Sequence, residues 1–314
     1  MIAYEKSSGG VLQESSLNDQ SSRNLKIHLI DGTYELFRNY FGAPKKKSPG
    51  GREVGATVGL LRSLVALLAR PDVTHVGCAF DHIIESFRNT LHSGYKTGEG
   101  IEPDLLSQFP LAEQAVSALG IVVWPMVEFE ADDALATAAA RYKSEHGVEQ
   151  VVICSPDKDL AQSVQGSKVV CWDRRREIVY DAEGVVKKFG VQPESIPDWL
   201  ALVGDAADGY PGIRGWGAKS ASAVLSRFGH LESIPRDHQE WGLKVSRAQY
   251  LSENLENHRE DALLFRRLAT LREDVPLKEI MDDLRWRGAK ENLRSLCIDI
   301  GVKELPGRIK KWQS

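Results

Sequence analysis

Glu128-Phe129-Glu130-Ala131-Asp132-Asp133 packs four carboxylates into six residues and runs into Ala134-Leu135-Ala136-Thr137-Ala138-Ala139-Ala140, a strong helix former. The acids sit in a first helical turn, and the apolar run Ile121-Val122-Val123-Trp124 ahead of them reads as the strand that feeds it. A helix N-terminus favours negative charge, and Asp caps it well. That accounts for one or two acids. Four neighbours repel unless a cation gathers them, and hard divalent ions such as Mg²⁺ take oxygen ligands of this kind.

Working outward, the same arrangement recurs. Leu25-Lys26-Ile27-His28-Leu29-Ile30 ends at Asp31-Gly32, and His75-Val76-Gly77-Cys78-Ala79-Phe80 stops at Asp81 after a helical stretch from Gly55 to Ala69. Gln150-Val151-Val152-Ile153-Cys154 precedes Ser155-Pro156-Asp157-Lys158-Asp159. Strands alternating with helices predict an α/β fold with a mainly parallel central sheet flanked by helices, whose functional crevice lies beyond the carboxyl ends of the strands. Asp31, Asp81, Glu130, Asp132, Asp133, Asp157 and Asp159 then converge on one rim. A single Asp after a strand is ordinarily a turn former or a helix cap; repetition at four strand ends points to a shared task. No glycine-rich phosphate loop or dinucleotide fingerprint accompanies the acids, so the carboxylates themselves carry the function.

Further on, Lys168 to Trp172 and Glu177 to Tyr180 read as short strands joined by the basic turn Asp173-Arg174-Arg175-Arg176. Asp198-Trp199-Leu200-Ala201-Leu202-Val203 is helical and leads to Gly204-Asp205-Ala206-Ala207-Asp208. Carboxylates three residues apart can share one helical face. Then comes Gly209-Tyr210-Pro211-Gly212-Ile213-Arg214-Gly215-Trp216-Gly217-Ala218-Lys219-Ser220, followed by a helix from Ala221 to Phe228. Glycines ahead of a helix let backbone N–H groups approach a phosphate, and Lys219 adds a cation. Such a helix-hairpin-helix holds a nucleic-acid backbone without reading its bases.

The chain has 314 residues, 42% of them hydrophobic, enough for a large core in two domains. No apolar run approaches the ~20 residues of a membrane span. The N-terminus lacks the regions of a signal peptide, and Cys78, Cys154, Cys171 and Cys297 show no zinc or disulfide spacing. A reduced, cytoplasmic protein is expected, with residues 1–24 as a flexible tail. The net charge of −4, from 44 acids against 40 bases, does not announce a nucleic-acid binder. With the acidic set sequestered around metal, however, the remaining charge is positive.

Three motifs together, Glu130-Ala131-Asp132-Asp133, Asp157-Lys158-Asp159, and Gly204-Asp205 with Asp208 through Pro211-Gly212 to Gly215-Trp216-Gly217-Ala218-Lys219-Ser220-Ala221, resemble the 5′-nuclease superfamily. That superfamily comprises flap endonucleases and the 5′-to-3′ exonuclease domain of bacterial DNA polymerase I; the resemblance spans about residues 25–310 and implies a stand-alone nuclease. It implies a nuclease core at 25–193 with a helical arch near 83–119, and a helical DNA-binding region carrying the helix-hairpin-helix at 194–314. Asp31, Asp81, Glu130, Asp132, Asp133, Asp157, Asp159, Asp205 and Asp208 match the family's metal-binding acids. Arg38, Arg88 and Lys96 match basic residues near the scissile phosphate or the arch base, and Gly212, Gly215, Gly217, Lys219 and Ser220 match the DNA-binding hairpin.

The activity implied is structure-dependent hydrolysis of DNA at or near 5′ ends, flaps and nicks by two or more Mg²⁺ ions, with Mn²⁺ as a substitute and K⁺ at the hairpin. The RNA strand of a hybrid is a further substrate, and a monomer is expected. Two other readings stand beside it: a catalytically weak DNA-structure binding protein that retains the fold, and a metal-dependent ribonuclease on the same core. The chain departs from the family pattern at Glu99, where an Arg is usual, at Gly209-Tyr210, in place of Asn and an apolar residue, and at Ser155-Pro156.

Overall fold

Strand β1 (Leu25–Asp31) is the centre of the computed structural model, which describes residues 25–313; the tail expected at 1–24 lies outside the described residues. Around it stand β2 (His75–Asp81), β3 (Val122–Met126), β4 (Val148–Cys154), β5 (Val169–Asp173) and β6 (Ile178–Tyr180), in the order β3-β2-β1-β4-β5-β6. All neighbours run parallel except β5 and β6, which form an antiparallel hairpin. The chain moves outward from β1 to β2 and β3, then returns to β4 on the other side of β1. This reversal of direction opens a crevice above the carboxyl ends of β1 and β4.

Both faces of the sheet are covered, which is why its inner strands are apolar almost throughout. Ile27 and Leu29 of β1 pack into one apolar cluster and Ile30 into the other, as the two-residue period of a strand requires. The second face carries α1 (Gly32–Gly42), α2 (Gly55–Leu68) and, after the short α3 (Arg88–Leu91) and α4 (Pro103–Leu106), α5 (Phe109–Ala118). The first face carries α6 (Ala131–Tyr142), whose alanines bring its axis close to the strands. It also carries α7 (Ala182–Phe189), α8 (Ile196–Val203), α9 (Ala218–Phe228), α10 (Ala248–Asn257) and α11 (Arg259–Ala269).

Two features differ from the sequence reading. Residues 109–118 are no part of an arch: α5 is a core helix with Phe109, Leu111, Ala112, Ala115 and Val116 buried. Among the described residues the crossing from Asp81 to Pro103 holds only the single turn of α3.

The stretch 194–314 is not one helical region either. Beyond Leu284 the chain returns to the second face of the sheet, where α12 (Asn292–Asp299), Val302 and Leu305 join the cluster of α2 and α5. Trp286 N donates to Thr74 O and Lys290 N to Ala118 O, which stitches this return in place. Such a long-range closure leaves no local signal in sequence. No helix among the described residues is long and apolar enough to cross a membrane.

Candidate metal centre

Asp31 and Asp81 stand at the carboxyl ends of their strands. Asp31 closes β1 and caps α1, accepting from Tyr34 N at 2.8 Å, and Asp81 closes β2 and accepts from Ala131 N at 2.7 Å, capping α6. The capping explanation therefore holds for these two without exhausting their role, since each carboxylate has a second oxygen. Ser155, buried behind β4, donates to Asp31 Oδ2 at 2.8 Å and accepts from Asp157 N at 3.2 Å. Nothing in the sequence marked Ser155 as the tie between these strand ends; it stood there only as a departure.

Asp205 and Asp208 do not share a helical face. The helix α8 stops at Val203, and residues 205–210 form a tight turn closed by Asp205 N to Tyr210 O at 2.9 Å and Tyr210 N to Asp205 O at 3.1 Å. The turn still gathers them. Asp159, Asp205 and Asp208 each present an oxygen within 4.8 Å of the others. Lys158 forms an ion pair with Asp205, a contact the sequence reading did not foresee.

Burial, and then the charges of Asp157 and Asp81, push the Asp31 carboxyl up to about 7 against the pull of the Tyr34 and Ser155 hydrogen bonds. Burial also raises Asp132 well above the ordinary carboxylate range, followed by Asp157 and Asp31, and raises Asp159, followed by Asp157 and Asp208. Asp208 is pushed up to about 6, again first by burial. These are acids crowded together out of water, each making its neighbours harder to ionise. Asp159 Oδ1 is buried with no hydrogen-bond partner. An unsatisfied hard oxygen beside two further carboxylates suits a divalent cation, so the donor set fits such an ion.

A family model described as "5'-3' exonuclease, N-terminal resolvase-like domain" matches residues 26–190, and one described as "5'-3' exonuclease, C-terminal SAM fold" matches residues 191–292. The chain belongs to the 5′-3′ exonuclease family. It is 32% identical to the 5′-3′ exonuclease of Aquifex aeolicus over 91% of this chain and 95% of that protein. It is 34% identical to DNA polymerase I of Bacillus caldotenax over 88% of this chain, and spans only 32% of that polymerase. Among solved structures, the bacteriophage T5 flap endonuclease in complex with DNA and metal ions superposes with a TM-score of 0.62 at 17% identity, covering 90% of this chain and 96% of that one. The catalytic core of Rad2 with DNA superposes at 0.54 and 16% identity, covering 90% of each.

Within the exonuclease family pattern, the departure at Gly209-Tyr210 has a geometric account. Gly209 has φ of 84°, and a Cβ there would stand 2.0 Å from Gly94 O, so this turn requires a residue without one. Tyr210 is buried and stacks on Phe265 with centroids 5.6 Å apart, taking the place of an apolar residue.

Not every expected residue faces the acids freely. Lys96 does: its ammonium lies 2.7 Å from Glu130 Oε2 and 3.6 Å from Asp208 Oδ1, partly exposed at the edge of the rim. Glu130 meets Lys96, Arg88, Ser86 and Tyr95. Burial pulls its carboxyl upward, but the two cations outweigh that and hold it below its ordinary value. Arg38 instead joins Arg174 and Ser63 around Glu35. Arg174 is likewise no free member of the basic turn, whereas Arg175 and Arg176 are exposed.

Asp133, expected as a metal ligand, and Arg88, expected near the phosphate, are found paired with each other. Arg88 and Asp133 are buried against each other, Nη1 to Oδ2 and Nη2 to Oδ1 both at 2.7 Å. Asp133 also closes the capping box of α6.

At the hairpin, Gly212 and Gly215 have φ of 70° and 88°, and Gly217 precedes α9 with nothing within 4 Å of where a Cβ would be. Ser220 Oγ accepts from Gly217 N at 3.0 Å, while Lys219 is exposed. A cavity of about 600 Å³ opens here, lined by Lys219, Ser220, Lys244, Ser246 and Arg247 among others, with no acidic side chain in its wall. The second basic side, Lys244 and Arg247, comes from a loop that carried no motif.

Proposed function

We propose that this chain hydrolyses DNA phosphodiester bonds at or near 5′ ends, nicks and flaps, using two divalent ions, with Mg²⁺ the natural choice and Mn²⁺ a substitute. The observation that carries the reading is the crowd of carboxylates above the sheet, with proton affinities raised by burial and by one another and an unsatisfied oxygen on Asp159. Asp31, Asp81, Asp132 and Asp157 would hold one ion, and Asp159, Asp205 and Asp208 another, with Glu130 on the boundary between acids and Lys96. The ions would make water nucleophilic near neutral pH and offset charge on the leaving oxygen. Lys96 offsets negative charge growing on the scissile phosphate from the edge of the rim. The hairpin at Gly212–Ser220, with Lys244 and Arg247 opposite, would hold duplex backbone, with K⁺ as a further ion at the hairpin. Arg38 serves Glu35 and takes no part in this reading.

The phage T5 enzyme solved with DNA and metal ions supports DNA as substrate and metal as cofactor. The reading takes the chain as a monomer and extends to an RNA strand paired with DNA. Labelled flap, nicked, blunt and single-stranded DNA, with RNA and hybrid controls, incubated with Mg²⁺, Mn²⁺ or chelator, test it. Cleavage near the 5′ end of flap and nicked substrates, lost in chelator, is the expected result; full activity in chelator overturns it. Size-exclusion chromatography with light scattering checks the monomer.

A further inference from the structure

We propose that Arg88 and Asp133 are a positioning pair, holding Lys96 in place through Glu130 and touching neither phosphate nor metal. The inference rests on the nuclease reading above for the task of Lys96 and on geometry for the rest. A guanidinium has five N–H donors; in Arg88 four make hydrogen bonds, and the remaining Nη1 hydrogen is on the side of the Glu130 ion pair. Nε donates to Leu268 O at 2.7 Å, Nη1 to Asp133 Oδ2 at 2.7 Å with Glu130 Oε1 at 3.1 Å, and Nη2 to Asp133 Oδ1 at 2.7 Å and Thr270 O at 3.1 Å. Its side chain is 1% exposed. With four donors bonded inside the protein and the fifth beside Glu130, a phosphate could reach this buried guanidinium only by dismantling the site.

Asp133 is full. A carboxylate has about four lone-pair sites; Oδ1 accepts from Arg88 and from Arg272 N at 2.9 Å, and Oδ2 from Arg88 and from Glu130 N at 3.0 Å. A cation would have to displace a buried bidentate arginine to reach it. The side chains of Phe87 and Phe129 lie under Arg272, each ring centroid 5.7 Å from its guanidinium carbon, and close the site on the outer side.

What the pair does is set by its neighbours. Arg88 and Ser86 fix one oxygen of Glu130, and Lys96 and Tyr95 meet the other. Lys96 in turn reaches Asp208, and its backbone N–H donates to Asp208 O at 3.1 Å. Asp133, Arg88, Glu130, Lys96 and Asp208 thus alternate in charge from the buried start of α6 to the rim. The chain of contacts joins three separate stretches, and the carbonyls of Leu268 and Thr270 tie in a fourth. Moving Arg88 moves Glu130, and with it the cation nearest the acids.

Two double-mutant cycles test this. In the first, Arg88→Met, Asp133→Leu and the double variant are compared for denaturant stability and, without DNA, for Mn²⁺ affinity by calorimetry. Each single variant is expected to lose stability, because a lone charge stays buried. The double variant is expected to regain it and to bind Mn²⁺ within about threefold of the unmodified chain. A tenfold or greater loss of Mn²⁺ affinity in the stable double variant makes Asp133 a ligand and overturns the proposal.

In the second cycle Arg88→Lys, which keeps the charge but not the fork, is measured alone and together with Lys96→Met on a flap substrate. Alone it is expected to lower kcat about tenfold with KM within about twofold, and to add almost nothing once Lys96 is gone. Losses that multiply mean that Arg88 acts independently of Lys96, which also overturns it. If the unmodified chain cleaves no DNA, the nuclease reading fails, and with it the role assigned to Lys96; the stability and Mn²⁺ arms still decide whether Asp133 and Arg88 are a closed pair.

Discussion

Within one turn of α6, Asp132 lies close enough to Asp157 and Asp31 for their charges to raise its proton affinity, while Asp133, one residue on, is enclosed by an arginine and two backbone amides. Successive side chains on a helix diverge by about 100°. Among the described residues, that turn separates Asp31, Asp132 and Asp157, which have no ion pair, from a buried network in which Asp133 and Glu130 each have one. The same residue type is a candidate ligand in the first place and a structural element in the second. A motif of adjacent acids therefore cannot be read as a unit.

The largest expected effect comes from exchanging the two. Asp132→Ala should lower cleavage by orders of magnitude while leaving the metal-free fold as stable as before or more so, since it relieves repulsion. Asp133→Ala should instead cost roughly 3–5 kcal/mol of stability, because it strands Arg88 without its bidentate partner. Denaturant titration in chelator beside single-turnover cleavage separates them, and comparable destabilisation by both would erase the distinction.

Proton linkage sharpens the comparison. Asp31 and Asp208, raised to about 7 and about 6, start from about 4 when unfolded. Between those values the folded chain holds protons that the unfolded chain has released. Their contribution to stability is therefore full below pH ~4 and lost as pH rises through about 6 to 7. His28 works against this: burial lowers it from 6.5 to about 4, so its contribution is lost as pH falls. His75 is lowered too and Glu130 is held down, but Asp31, Asp81, Asp132, Asp159 and Asp208 are all raised, first by burial, so metal-free stability should fall from pH ~4 to ~7. Melting curves in chelator across that range check the sign, and Asp31→Asn should flatten the slope.

How much of this was legible depends on range. Asp31 and Asp81 directly follow apolar runs and Asp157 comes just past one, beyond Ser155-Pro156, so the sheet and its rim were plain from local pattern, and so was the glycine-rich entry to α9. Asp205 and Asp208 have a spacing that suits one helical face, but Gly204, with φ of 86°, ends α8 ahead of them, which spacing alone does not reveal. The Arg88–Asp133 pair spans 45 residues and its carbonyl partners 180 or more. Likewise, the return of the C-terminal segment to α2 and α5 is a matter of packing between remote stretches.

A third effect is smaller and concerns the hairpin, which faces solvent with neither acids nor a buried partner. Gly217 sits in open space at an ordinary φ, so Gly217→Val should fold normally yet weaken binding to every duplex-containing substrate alike. Lys219→Ala should lower the salt dependence of binding by about one phosphate contact. Fluorescence anisotropy across a salt series reads both, and an unchanged slope would make Lys219 merely solvated.

The smallest effect is expected at Glu99, an exposed acid in the crossing just beyond Lys96. Its charge repels an incoming strand over roughly 10 Å at moderate salt. Glu99→Arg should therefore raise cleavage of flapped DNA more than of nicked duplex, by a margin that shrinks as salt rises. Matched kinetics on both substrates settle whether an unpaired acid outside the rim matters at all.

Among the described residues the sheet ends at β3 and β6, and neither edge invites another chain to extend it. The outer strand β3 contains Pro125, a position with no amide hydrogen, and β6 is only three residues long although Ile178 and Val179 are 40% and 54% exposed. Short or proline-bearing margins discourage strand-to-strand association between molecules. The margins that keep ribbon-like self-assembly from starting are thus a proline and a shortage of residues, and Pro125→Val should offer a neighbour a more continuous margin for a seventh strand.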